Sequence, residues 1–148
     1  SSLWLPNTKL QILNTINLYN NNENININFI EENASDYEIN SDKNNLSIVF
    51  GNILKNAIQA IGKKEDGLID INIKDSGDSF LIKIKDNGCG IGEEEKKKIF
   101  MPNFTTKSSG MGVGLSIVYD ILEMLGGSIT FESELGIGTT FFVEIRKR

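Results

Sequence analysis

The 148-residue sequence contains no histidine. That absence removes Ser-His-Asp and Cys-His catalysis and the commonest zinc ligand together. Whatever chemistry the chain performs must rest on carboxylates, amides, lysines, backbone groups and a bound cofactor. There is one cysteine, Cys89, so no internal disulfide can form, which fits a reducing, cytoplasmic setting. With no histidine near it, Cys89 reads as a small apolar filler and not a nucleophile. No apolar run is long enough to span a bilayer and no signal peptide is visible, so no membrane contact is expected of these residues. An excess of basic charge is missing too. The net charge is −5, which argues against nucleic-acid binding through general electrostatics.

What is present is the composition of one folded domain: 39% of residues are hydrophobic and 24% charged, enough for a core and a solvated surface. "LQILNTINLY" reads as a short helix turning Ile12, Leu13, Ile16 and Tyr19 inward. Residues 1–9 before it read as a linker remnant. "NININFI" alternates, with Ile25, Ile27 and Phe29 on one face of a strand. Asp42 can cap a long helix that runs to about Ile61 on an apolar face from Leu46 to Ile61. "LIDINIK" and "SFLIKIKD" are strands joined by the turn "DSGDS". "GEEEKKKIF" is a short helix with acids first and lysines last, the order the helix dipole favours, and Pro102 stops it. A helix from about Gly112 to Leu125 and the strands "SITFES" and "TTFFVEI" complete the chain. Hairpins and helices mix, which predicts an α+β fold: a two-layer sandwich of one mixed sheet with helices on one face.

Three places could carry chemistry. Asn52 and Asn56 stand one turn apart on the long helix, with Lys55 and Gln59 nearby. The stripe reads either as a solvated polar face opposite the core or as amide oxygens for a hard cation or phosphate. Asp86, in "KIKDNGCGIG", continues the inward face of Phe80, Ile82 and Ile84. A carboxylate there needs a donor, either the backbone of Gly88 or Gly90 in a turn or a ligand amine such as an adenine N6. The third place is "TTKSSGMGVGLSIV", where Gly110, Gly112 and Gly114 precede an apolar helix. It fits a phosphate site at a helix N-terminus or a glycine-rich surface loop. It lacks the Gly-Lys-Ser/Thr of a Walker loop and the leading strand of a dinucleotide fingerprint.

In this order the motifs resemble the ATP-binding catalytic domain of sensor histidine kinases. That domain belongs to the GHKL superfamily with DNA gyrase, a heat-shock chaperone and mismatch-repair ATPases. "NILKNAIQAI" is similar to the asparagine box, "DNGCGI" to the first glycine box and "IFMPNFTTK" to the phenylalanine box. "GMGVGLSIV" is similar to the second glycine box and "GIGTTF" to the closing glycine-threonine motif. The resemblance covers about Leu10 to Ile145, and "NAIQA", "FTTK" and "GLSIVY" are most similar to the nitrogen-regulation type. It implies a Bergerat-type fold that binds ATP and Mg²⁺. Asn56 would hold the metal and Asn52 would support the phosphate region. Asp86 would accept the adenine amine, with Gly88, Gly90 and Ile91 beside the base and Thr139 joined to Asp86 through water. Thr139 is preferred over Thr140 because it is in phase with Phe141, Val143 and Ile145. Residues 101–113 would form a lid hinged at Gly110, Gly112 and Gly114 and ordered by ATP. Phe100, Thr106, Lys107, Val113 and Leu115 complete the implied nucleotide contacts, with Lys55 and Gln59 near the phosphates.

Two departures matter. Gln59 stands where many members carry Lys or Arg. The phosphoacceptor histidine is absent, so a histidine-bearing helical dimerisation domain is expected upstream in a longer protein, which could itself be membrane-anchored. A response regulator would be an indirect partner. Three functions remain open: a histidine kinase module, an ATPase clamp and a non-catalytic nucleotide-dependent interaction module. The ATPases carry a glutamate four residues before the metal asparagine; here that residue is Asn52, which cannot act as a base.

Overall fold

Isoleucines at alternate positions require a buried face, and neighbouring strands supply it. The computed structural model describes residues 8–32, 43–102 and 111–146. Strand β1 (Ile25–Glu32) runs parallel to β2 (Gly67–Asp75). Parallel neighbours cannot be joined by a tight turn, and helix α2 (Lys43–Ile61) lies between them in the chain. β2 buries Ile69, Ile71 and Ile73. At the next turn Gly77 N–H donates to the Asp75 carboxylate at 3.0 Å and Ser76 N–H to Ser79 O at 3.0 Å. The chain then returns antiparallel as β3 (Ser79–Asp86). β4 (Ser128–Glu134) and β5 (Gly138–Arg146) form a hairpin, and β5 pairs with β3. Among the described residues the sheet order is β1-β2-β3-β5-β4.

One face of this sheet is covered. Helix α1 (Thr8–Tyr19) packs on α2, and α4 (Met111–Met124) packs on its other side. α2 buries Leu46, Val49, Phe50, Ile53, Leu54, Ala57 and Ile61; α4 adds Leu115, Val118 and Leu122 at helical spacing. On the opposite face of the sheet Leu81, Lys83 and Lys85 are exposed. The mixed sheet with helices on one side is the α+β sandwich that the pattern predicts.

Two boundaries differ from expectation. The helix expected across "GEEEKKKIF" is reduced to α3 (Glu93–Lys96), followed by turns. α3 buries no residue, and its ion pairs, Glu93–Lys96 at 2.8 Å and Glu94–Lys97 at 3.8 Å, lie on the surface, where they add little. Ile99 is buried in the core directly after it, so the chain turns inward before a longer helix can form. α1 begins at Thr8, inside the stretch read as a linker. The Asp42 cap lies outside the described residues.

The one-sided core carries a test. Ile82 is 1% exposed and sits between Ile73 and Val143; Leu81, its neighbour on the open face, is 41% exposed. Ile82→Ala should cost about 2–5 kcal/mol in urea denaturation. Leu81→Ala should cost less than about 1 kcal/mol. Equal losses would contradict a core confined to one face.

Candidate functional site

Asp86 is the last residue of β3 and shares the inward face with Ile82 and Ile84, so the strand period itself buries its carboxylate. It is 4% exposed. Its Oδ1 accepts Gly88 N–H at 2.8 Å and Thr139 N–H at 3.3 Å; neither bond uses Oδ2. Burial pushes the carboxyl up to about 6, against the opposing pull of those two N–H groups. The turn-cap role and a ligand role are thus compatible, one oxygen for each.

The loop after Asp86 is held from two sides. Cys89 N–H donates at 3.0 Å to Ala60 O, one of the last carbonyls of α2, which a helix end otherwise leaves without a partner. Asn87 ties the loop to the start of β2 and the residue before it. Its Oδ1 accepts Leu68 N–H at 2.8 Å and its Nδ2 donates to Asp66 O at 2.9 Å. On the other side Gly136 N–H donates to Cys89 O at 2.7 Å, and Ile91 N–H donates to Ser133 Oγ at 2.8 Å. Gly90 has φ +76°, and a Cβ there would collide with Glu134 O, so the approach of loop and hairpin requires glycine.

Asn52, Asn56 and Ala60 lie at successive four-residue steps along α2, so the amides share a stripe with the residue that anchors the Asp86 loop. Asn56 is 9% exposed, so at this position the stripe is not a solvated face; Asn52 is half-buried. Asn56 Nδ2 donates to Asn52 O at 3.0 Å and Asn52 Nδ2 to Ile48 O at 2.7 Å. With the NH₂ groups directed at the helix backbone, the carbonyl oxygens are what these amides can offer a ligand. A Cβ on Gly114 would collide with Asn52 Oδ1 and stand 3.1 Å from its Cγ. The absent side chain of Gly114 therefore makes room for the Asn52 amide against α4.

The structure brings Asp86, Gly88 and Thr139 together at one end of α2, and Asn52 and Gly114 meet further along it. Lys55 is exposed and Gln59 is half-buried. Ile91 is half-buried and joins the site through its N–H. Leu115 is buried in the core. The Phe100 ring packs on Tyr119 at 5.6 Å and Phe131 at 5.7 Å between centroids, so it supports α4 against β4. Gly112 and Val113 belong to the first turn of α4, which begins at Met111 within the expected lid. Thr106, Lys107 and Gly110 lie outside the described residues. Among the described residues no cluster of three or more acidic or cysteine side chains could hold a cation. A cation here would take a neutral oxygen such as Asn56 Oδ1 and the oxygens of its ligand, which suits Mg²⁺ carried by phosphates. Asn87 and Ser133 were not anticipated. Ser133 is in phase with Ile129 and Phe131 on β4, and a polar residue on an inward strand face is the signal that marks it.

The model of the family described as histidine kinase-, DNA gyrase B- and HSP90-like ATPases matches residues 41–148. The chain belongs to that family. The domain is 42% identical over 104 residues to sensor histidine kinase ZraS of Escherichia coli (strain K12), covering 70% of this chain and 22% of that protein. Sporulation kinase C of Bacillus subtilis (strain 168) is 40% identical over 105 residues, covering 71% and 24%. The chain thus spans about a fifth of the length of the curated relatives it matches. The catalytic domain of histidine kinase ThkA superposes with a TM-score of 0.82 at 34% identity, over 95% of this chain and 93% of that one. ThkA in complex with response regulator protein TrrA matches with a TM-score of 0.78 at 32% identity, over 96% and 41%. This ATPase-family domain is therefore a catalytic domain of the histidine kinase type. Among the described residues no helix is long and apolar enough to cross a membrane.

The Asp86 carboxyl sets a pH test. Its ordinary value is 3.8 and its folded value about 6, so between them the folded state binds more protons than the unfolded one. The nucleotide-free domain gains this stabilisation at low pH and loses it as pH rises through 6. The gap corresponds to about 3 kcal/mol. Asp86→Asn keeps an oxygen for both N–H donors and removes the charge. It should be more stable than the parent by about 2–3 kcal/mol near pH 7.5, with the difference vanishing below the ordinary value of 3.8. A difference in urea denaturation that is constant with pH would contradict the assignment.

Proposed function

We propose that the domain binds Mg·ATP and presents the γ-phosphate to a histidine on a separate helical dimerisation domain, upstream in a longer protein. The observation that carries this reading is Asp86: a buried carboxylate whose Oδ1 is held by two backbone N–H groups while Oδ2 takes neither. An exocyclic amine supplies the donor that a desolvated carboxylate needs, and the adenine N6 is such an amine. Thr139 stands directly opposite Asp86 in the β3–β5 register and would complete the base site. Asn52 and Asn56 would face the phosphates, with Asn56 Oδ1 as the metal ligand. When bound, Mg²⁺ would neutralise and orient the phosphate oxygens. Residues 101–113 would serve as the lid over them, with Lys107 a phosphate contact.

The nucleophilic histidine must come from elsewhere, since the chain has none. Asn52 favours transfer over hydrolysis, because an amide cannot activate water. The acceptor histidine would pass its phosphoryl group to a response regulator, a pairing supported by the assembly of ThkA with TrrA. The wording of "NAIQA" and "GLSIVY" supports the nitrogen-regulation type. We place the domain on the cytoplasmic side, where ATP is available.

Mixing the domain with a histidine-bearing dimerisation domain and γ-labelled ATP should give acid-labile label on the histidine. Hydrolysis without transfer would favour an ATPase instead. In titrations, Asp86→Asn should weaken ATP binding by roughly 1.5–3 kcal/mol. Asn56→Ala should abolish the dependence of ATP binding on magnesium; an unchanged magnesium response would remove Asn56 from the site.

A further inference from the structure

Three polar side chains form one lateral row across the inner face of the sheet. Asp86 on β3 is register partner to Thr139 on β5, and Thr139 is register partner to Ser133 on β4. Partners in adjacent strands point to the same face and touch. Ser133 Oγ lies 2.8 Å from Thr139 Oγ1, 3.0 Å from Gly138 O and 2.8 Å from Ile91 N. A serine hydroxyl has one proton and two lone pairs. Gly138 O can only accept, so the Ser133 proton belongs there; otherwise two oxygens would face each other at 3.0 Å with no hydrogen between them. Ile91 N–H can only donate, so it takes one Ser133 lone pair. The remaining contact then has one consistent direction: Thr139 donates its proton to the second lone pair of Ser133. The Thr139 hydroxyl is left with lone pairs alone for anything bound beside Asp86.

We propose that Ser133 is a positioning residue that orients the Thr139 hydroxyl as an acceptor, so that the pocket selects a 6-amino over a 6-oxo purine nucleotide. The inference rests on the reading of this cleft as an adenine-nucleotide site. An amino group at position 6 brings donors to a row of acceptors, directly or through a water whose two protons go to Thr139 and the Asp86 carboxylate, leaving it only lone pairs for the base. A 6-oxo purine brings an acceptor to that row, and oxygen faces oxygen. Sites whose polar groups have a fixed direction reject a ligand of the wrong polarity more strongly than sites that can reorient. In Ser133→Ala the Thr139 proton is released and its hydroxyl can rotate to donate to a 6-oxo group.

The test compares affinities for Mg·ATP and Mg·ITP, which differ at the 6 position of the purine and in the proton on N1. The parent domain should prefer ATP. Ser133→Ala should narrow that preference by roughly three- to tenfold, the range of one net hydrogen bond. Ser133→Thr, which keeps the hydroxyl on a residue suited to a strand, should restore it. In a Thr139→Val background Ser133→Ala should no longer change the ratio. If Ser133→Ala weakens both nucleotides equally, Ser133 merely holds the Ile91 loop and the proposal is overturned. An unchanged ratio in a folded variant overturns it as well. A parent domain that binds neither nucleotide overturns the adenine-site reading itself.

Discussion

A charged carboxylate inside the helix-covered face of a sheet is costly, and much of the site is arranged around Asp86 for that reason. Two backbone N–H groups reach its Oδ1, one from the loop that follows β3 and one from β5. They offset part of the desolvation and leave the carboxyl still raised to about 6. The charge is thus incompletely satisfied in the free domain, and a ligand that brings N–H donors relieves it. In the proposed function structure and recognition would share one carboxylate: the oxygen that caps the turn would hold the other in place for a ligand.

The same economy governs α2. Its apolar face makes the centre of the core, and its Asn52–Asn56 stripe faces away from the sheet interior without being free surface. Its final turn supplies the Ala60 carbonyl that anchors Cys89 N–H. The Asp86 loop is therefore fixed to the central core helix on one side and to the β4–β5 hairpin on the other. A pocket built on rigid elements holds its groups in position before a ligand arrives, which is what positioning chemistry such as phosphoryl transfer requires.

The strands were legible because their period is two and their inward residues are mostly isoleucine and phenylalanine: 69, 71 and 73 on β2, and 80, 82 and 84 on β3. Asp86 and Thr139 were legible as polar residues continuing those phases. The burial of Asn56 was not, because a helical stripe does not say what packs over it; Gly114 against Asn52 shows how closely α4 comes. The charge order of "GEEEKKKIF" favours a longer helix locally, while the burial of Ile99 is a tertiary demand that the local pattern does not show. Ser133 escaped notice for another reason. Its role lies in three partners: the hairpin brings Gly138 and Thr139 to it, and the approach of the Asp86 loop to that hairpin brings Ile91, which is distant in sequence.

The central claim is that Asp86 is a strained acid in the free domain and a relieved one when a nucleotide base is bound. Carbon-13 NMR of the Asp86 carboxyl, titrated with pH in the presence and absence of ATP, addresses it most directly. The account predicts a midpoint near 6 without nucleotide. It predicts a clear downward move with ATP, because an amine donor favours the charged form. A midpoint near the ordinary 3.8 in the free domain, or one that ATP leaves in place, would contradict it.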